Sequence, residues 1–139
     1  MKKYILSIVI LISAAGIWQM RNFYYKYPEP AGIPDLISVA SPLPEFLVSS
    51  PLKVSGQARG FWFFEASFPV RLLDGNGKEI AVKPAQALDA WMTEDFVPFE
   101  VELEFPAPDT DNGILILKKD NPSGLPEHDR ELLIPVRFR

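Results

Sequence analysis

Residues 97–105 read Val97-Pro98-Phe99-Glu100-Val101-Glu102-Leu103-Glu104-Phe105. Phe99, Val101, Leu103 and Phe105 alternate with Glu100, Glu102 and Glu104, the period of a strand with one buried face. Burying each apolar side chain contributes roughly 1.5–3 kcal/mol, and a one-residue slip would turn all four into water, so the pattern also sets the register. The glutamates are then a solvated face, spaced about 7 Å apart along the strand. A neighbouring strand presenting Arg71, Arg137 or Lys119 would relieve their repulsion.

The same alternation continues on both sides. Leu52–Ala58 turns Leu52, Val54, Gly56 and Ala58 inward, and Ile37–Ala40 precedes the breaker Ser41-Pro42-Leu43-Pro44. Phe68–Asp74 and Lys78–Val82 flank Gly75-Asn76-Gly77, where Asn-Gly is a strong hairpin signal. Ile114–Lys118 follows the acidic turn Asp109–Gly113, and Leu132–Phe138 ends the chain. Leu88, Trp91, Met92 and Phe96 fall at helical spacing, but Pro84 and Pro98 bracket too short a stretch; Ala85–Phe96 reads as a strand running into a loop. About seven antiparallel strands with turns every 8–12 residues predict an all-β sandwich over residues 36–139. Prolines 69, 98 and 135 suit edge positions or strand ends.

Composition agrees. Proline accounts for 14 of 139 residues, which argues against an all-helical fold. With 47% hydrophobic residues the chain has enough apolar surface for a core. A net charge of -4 and a pI near 5.0 give no electrostatic footprint for nucleic acid, so no nucleic-acid partner is expected. The absence of cysteine removes disulfides, thiol nucleophiles, iron–sulfur clusters and cysteine zinc sites.

Met1-Lys2-Lys3 followed by the apolar run Tyr4–Trp18 reads as a basic segment before a hydrophobic one. In one reading residues 1–18 are a signal peptide, with Ser13-Ala14-Ala15 as the small-residue cleavage site and Gly16 the new N-terminus. In the other they belong to an uncleaved hydrophobic helix that enters the membrane through residues 4–20, close to the lower length limit for a span. Trp18, Phe23, Tyr24, Tyr25 and Tyr27 would then form an interfacial aromatic belt. Both readings place the domain outside the cytoplasm, anchored to the bacterial membrane or secreted. Residues 19–35, with Pro28, Pro30 and Pro34, read as a proline-rich extended linker.

Several stretches together resemble one family. They are Ser49 and Pro51-Leu52 leading to Val54–Ala58, Phe61–Val70, Trp91–Phe99 and Lys119–Gly124. The chain resembles the immunoglobulin-like domain of bacterial spore germination proteins over about residues 38–139. The resemblance implies an immunoglobulin-like β-sandwich in secreted or membrane-attached bacterial proteins. It carries no catalytic residues, and no role in germination follows from it, since fold alone does not define function.

The constellations point to binding. With one histidine, His128, paired-histidine zinc motifs are impossible, and no serine sits in a G-x-S-x-G elbow. An enzyme would have to build on His128 and its carboxylate neighbours. Gly75-Asn76-Gly77-Lys78 lacks the spacing of a phosphate loop. Asp74, Asn76 and Glu79, or Asp109, Asp111 and Asn112, offer oxygen ligands for calcium without the full loop spacing. No cofactor is expected. Trp91, Glu94 and Asp95 lie in one loop, Asp120 and Asn121 in another. Either Asp95, Asp120 and Asn121 cap loop amides while Trp91 packs over the end of the core, or Trp91 offers an apolar face beside which the acids accept hydrogen bonds from a sugar or peptide. In Phe61-Trp62-Phe63-Phe64 two aromatics must face away from the core if the run is a strand; cover by another element is the expectation, an exposed partner surface the alternative. Trp62, Trp91, Glu94, Asp95, Asp120 and Asn121 are thus the candidate binding residues. The function expected is non-catalytic binding of an envelope protein or a cell-wall polysaccharide, with a structural spacer as the alternative.

Overall fold

The structure, a computed structural model, describes residues 30–139. The hydrophobic helix expected in residues 1–20 lies outside the described residues. Among them, no helix is long and apolar enough to cross a membrane.

The all-β, antiparallel reading holds, with eight strands rather than about seven. They are β1 (Ala31–Ile33), β2 (Ile37–Ser41), β3 (Leu52–Arg59), β4 (Ser67–Asp74), β5 (Glu79–Ala87), β6 (Phe96–Leu103), β7 (Asn112–Lys118) and β8 (Glu131–Arg137). The strand beyond the expected set is β1, which pairs with β2 through Ala31↔Val39 and Ile33↔Ile37. Part of the stretch read as linker therefore belongs to the sheet.

Strands lie in the order β1-β2-β3-β6-β5-β4-β7-β8. Two fully paired quartets meet at a narrow seam, because β5 and β6 share only the pairs Gln86↔Glu100 and Ala87↔Phe99. Proline chemistry explains the seam. Pro69 faces Pro84 across β4 and β5, and neither has an N–H, so that pair is of the non-hydrogen-bonded kind. Alternation then turns the backbones of Val82, Pro84 and Gln86 toward β6. Gln86 finds its partner there; Pro84 has no N–H to offer, and β5 peels away.

Core residues follow period two in each strand. Leu52, Val54 and Ala58 of β3, and Val97, Phe99, Val101 and Leu103 of β6, face Phe68, Val70 and Leu72 of β4. Leu115 and Leu117 of β7 and Leu132, Ile134 and Val136 of β8 complete the other wall. Phe68 and Phe99 join the quartets through an edge-to-face contact with centroids 4.9 Å apart.

The quartets are also linked on the far side. After β2 the chain crosses at Ser41–Pro44, and residues 45–48 run parallel to β8: Glu45 N donates to Pro135 O (2.8 Å), Arg137 N to Phe46 O (2.9 Å) and Val48 N to Arg137 O (2.8 Å). One segment thus serves both walls and covers the edge of β8. In place of the two separate sheets expected of a sandwich, the eight strands form one continuous antiparallel sheet that folds over so that its two quartets face one core, because the β5–β6 pairs carry the ladder across the seam.

The relief expected for the β6 glutamates comes from a different strand. Lys53 of β3 pairs in register with Glu102, and its Nζ lies 3.2 Å from Glu100. Arg71 instead pairs with Glu79 on β5 at 2.6 Å, and Arg137 and Lys119 lie in or beside the other quartet. The alternation fixed which side of β6 is polar, whereas strand order chose the cation.

Candidate functional site

One end of the sandwich gathers the loops 60–66, 88–95 and 119–130 and the β1–β2 turn. Gly60 starts the convergence. A Cβ there would lie 1.8 Å from Thr93 O and 2.3 Å from Trp91 O, so only glycine lets the first loop press against the second. Gly60 N also donates to Asp95 O at 3.1 Å. Asp120 N donates to Trp62 O at 3.0 Å, which ties in the third loop. The six candidate residues, drawn from three separate stretches of sequence, therefore come from adjoining loops.

Their roles differ. Trp62 is a core residue: it is fully buried, edge-on to Phe68 with centroids 6.4 Å apart, and its Nε1 has no hydrogen-bond partner. Gly60–Trp62 is a 3₁₀ turn rather than a strand, so the aromatics do not alternate. Trp62 and Phe63 point inward, while Phe61 (49% exposed) and Phe64 (41%) face solvent. The intramolecular cover expected for the outward pair is only partial. Trp91 is half-buried and packs against the edge of the core.

Asn121 works as a loop organiser. Its Nδ2 donates to Leu125 O (2.9 Å) and Asp129 Oδ1 (2.8 Å), and its Oδ1 accepts from Ser123 Oγ (2.5 Å). Instead of the backbone-amide cap expected of Asn121, its side chain ties a backbone carbonyl to two side chains of the same loop. Asp95 N is held by Thr93 Oγ1 at 3.1 Å, and Arg59 donates to Glu94 O at 3.4 Å. The Glu94 and Asp95 side chains themselves lie exposed.

Residues outside the expected set also shape this end. Met92 is 84% exposed and Leu125 48%, each in one of the loops of this end. Phe64 and Ser67 exchange backbone hydrogen bonds at 2.9 and 3.1 Å around Glu65 and Ala66, whose φ values are +49° and +63°. Positive φ at both central residues is the mark of a type I′ turn, which favours Asn-Gly. Glu-Ala holds it at a cost of roughly 1–2 kcal/mol per residue. In the sequence Met92 stands only within a helically spaced apolar set with Leu88, Trp91 and Phe96, and Leu125 carries no signal of its own.

The other candidate chemistries have structural employment. Asp74 Oδ1 accepts from Asn76 N (2.9 Å) and Lys78 N (3.0 Å), closing the turn in which Gly77 takes φ +81°. Glu79 is paired with Arg71, and Asp111 with Arg139 at 2.9 Å. Among the described residues no three His, Cys, Asp or Glu side chains cluster to hold a metal. His128 is exposed in the 3₁₀ turn Pro126–His128, and its carbonyl accepts from Lys119 Nζ at 3.4 Å. A groove of about 350 Å³ lies elsewhere, at the β5–β6 fork, lined by Lys53, Lys83, Pro84, Gln86, Leu88 and Glu100 among others.

The model of the family described as the immunoglobulin-like domain of bacterial spore germination matches residues 36–124, more than half the chain. That description names a fold and no reaction. No curated protein and no solved structure gives a significant match.

Proposed function

Since the chain belongs to the family of immunoglobulin-like domains of bacterial spore germination, we propose that it is a non-catalytic, extracytoplasmic binding module whose loop end engages a protein of the cell envelope. The carrying observation is the convergence of three loops, two of which expose Phe61, Phe64 and Met92. Apolar side chains gathered at loop tips on a rigid sandwich are what binding surfaces require. The corresponding loop-bearing end of variable immunoglobulin domains carries their combining site. Location outside the cytoplasm rests on the basic and apolar residues 1–18.

The test is photo-crosslinking in intact bacterial cells. A photoreactive residue at position 92 is expected to give defined adducts with an envelope protein, and one at position 78, in the turn at the opposite end, none. Equal labelling from both positions, or adducts with cytoplasmic proteins alone, would overturn the proposal.

A further inference from the structure

We infer that the partner of the loop end presents a cationic, apolar-bearing segment, with Lys or Arg side chains beside aliphatic or aromatic ones. This rests on the reading of that end as the binding surface. The β1–β2 turn and the loop 60–66 each carry one carboxylate, and the loops 88–95 and 119–130 carry three each. Within these loops stand two cationic side chains, Lys119 and Arg130, and the strand ends that flank them add Arg59 and Lys118 on one side and Glu131 on the other.

Arg59, Lys119 and Arg130 are turned to backbone carbonyls of this end rather than to its carboxylates. Arg59 lies over the Phe96 ring at 4.0 Å and donates to Asp35 O at 2.8 Å. Lys119 Nζ reaches His128 O at 3.4 Å, and Arg130 donates to Asp129 O at 2.7 Å and Glu127 O at 3.3 Å. None of the eight carboxylates takes part in an ion pair among the described residues; the three ion pairs present use Glu100, Glu79 and Asp111. Counting the flanking strand ends, nine carboxylates stand against four cations at this end, an excess of five negative charges, on the same loops that expose Phe61, Phe64, Met92 and Leu125.

That combination selects among ligands. A neutral glycan would leave the charge uncompensated. A single divalent ion needs converging carboxylates, and here they are dispersed. A segment with several separated ammonium or guanidinium groups and apolar anchors matches both features. Complementary potentials speed its encounter, and the apolar contacts hold it.

The probe is an amphipathic Lys-Leu peptide, measured by fluorescence anisotropy on the full chain against a Glu-Leu and a Lys-Gly peptide. The Lys-Leu peptide is expected to bind at least about tenfold more tightly than either control, with affinity falling as salt is raised. Glu94→Lys with Asp95→Lys and Asp120→Lys, and separately Phe61→Ser with Met92→Ser, are each expected to weaken it about tenfold. Asp109→Lys, at the opposite end, should leave binding unchanged. Circular dichroism checks that each variant is folded. Failure of the Lys-Leu peptide to bind, equal binding of the Glu-Leu peptide, or indifference to charge reversal overturns the cationic partner. If only the Phe61 and Met92 changes matter, the loop end remains the docking surface for an uncharged partner. If neither set matters, the proposed function falls with the inference.

Discussion

Gly60 and Trp62 show how closely the loop end is bound to the core. Any side chain at position 60 meets backbone oxygens of Trp91 and Thr93, which have no freedom to yield. Gly60→Ala is expected to cost at least about 2 kcal/mol, read as a lower denaturation midpoint; a change within error would show that the loops separate easily. Trp62→Ala removes a fully buried ring and should cost roughly 3–5 kcal/mol. Trp62→Phe keeps much of that packing and deletes an indole N–H with no hydrogen-bond partner. Because an unpaired buried donor costs about 1–3 kcal/mol, the phenylalanine variant should lose less than about 2 kcal/mol. A loss equal to that of alanine would mean that the N–H contributes binding energy after all. At the neighbouring turn the sign reverses. Replacing Glu65-Ala66 by Asn-Gly should stabilise the domain by about 1–2 kcal/mol, since both positions take positive φ.

Among the strands, β5 is the element whose sequence explains an irregularity. Lys83 pairs with Val70 and so stands on the core side of the sheet, yet it is exposed where β5 leaves β6. Next to it, Pro84 withholds a donor from the same edge. An inward charge and a proline are two devices that keep a strand edge from recruiting another chain. Lys83→Val with Pro84→Thr is accordingly expected to give concentration-dependent oligomers by light scattering, where the parent chain gives none through this edge. An unchanged mass across the concentration range would assign the protection to the fork itself. The outer face of β4, β5, β7 and β8 is a second departure from simple alternation. Val82, Ile114 and Leu133 are exposed there, around the Arg71–Glu79 ion pair. The unbroken apolar run Ile114–Leu117 announced this, since alternating strand positions put apolar groups on both faces.

For the whole molecule, the narrow seam raises the question of whether the two quartets unfold separately. Their inner faces share one core, with Phe68 against Phe99 and residues 37–48 belonging to both. Neither wall buries its apolar face without the other. Amides of β3 and β7, on opposite walls, should therefore exchange hydrogen at a common global free energy. Separate exchange free energies for the two strands would mean that the seam divides the domain into independent units.

Alternation in β3, β4, β6 and β8 was readable directly, because a strand's two faces are set by residues two apart and need no distant partner. The Gly75–Gly77 turn was readable for the same reason: Asp74, Asn76 and Gly77 act within one another's reach. The loop placement of Trp91, Glu94, Asp95, Asp120 and Asn121 was readable too, since all five lie between strands. What the chain could not disclose locally was the division of Phe61–Phe64 into buried and exposed, the cation facing Glu100, the strand made by Ala31–Ile33, and the crossing of residues 45–48 to β8. Each depends on contacts between residues far apart in sequence, whose geometry follows from how two twisted walls close on a shared core. The aromatic and acidic side chains were legible one by one; only closure of that core, with Gly60 against Thr93 and Asp120 on Trp62, brought them to a single end.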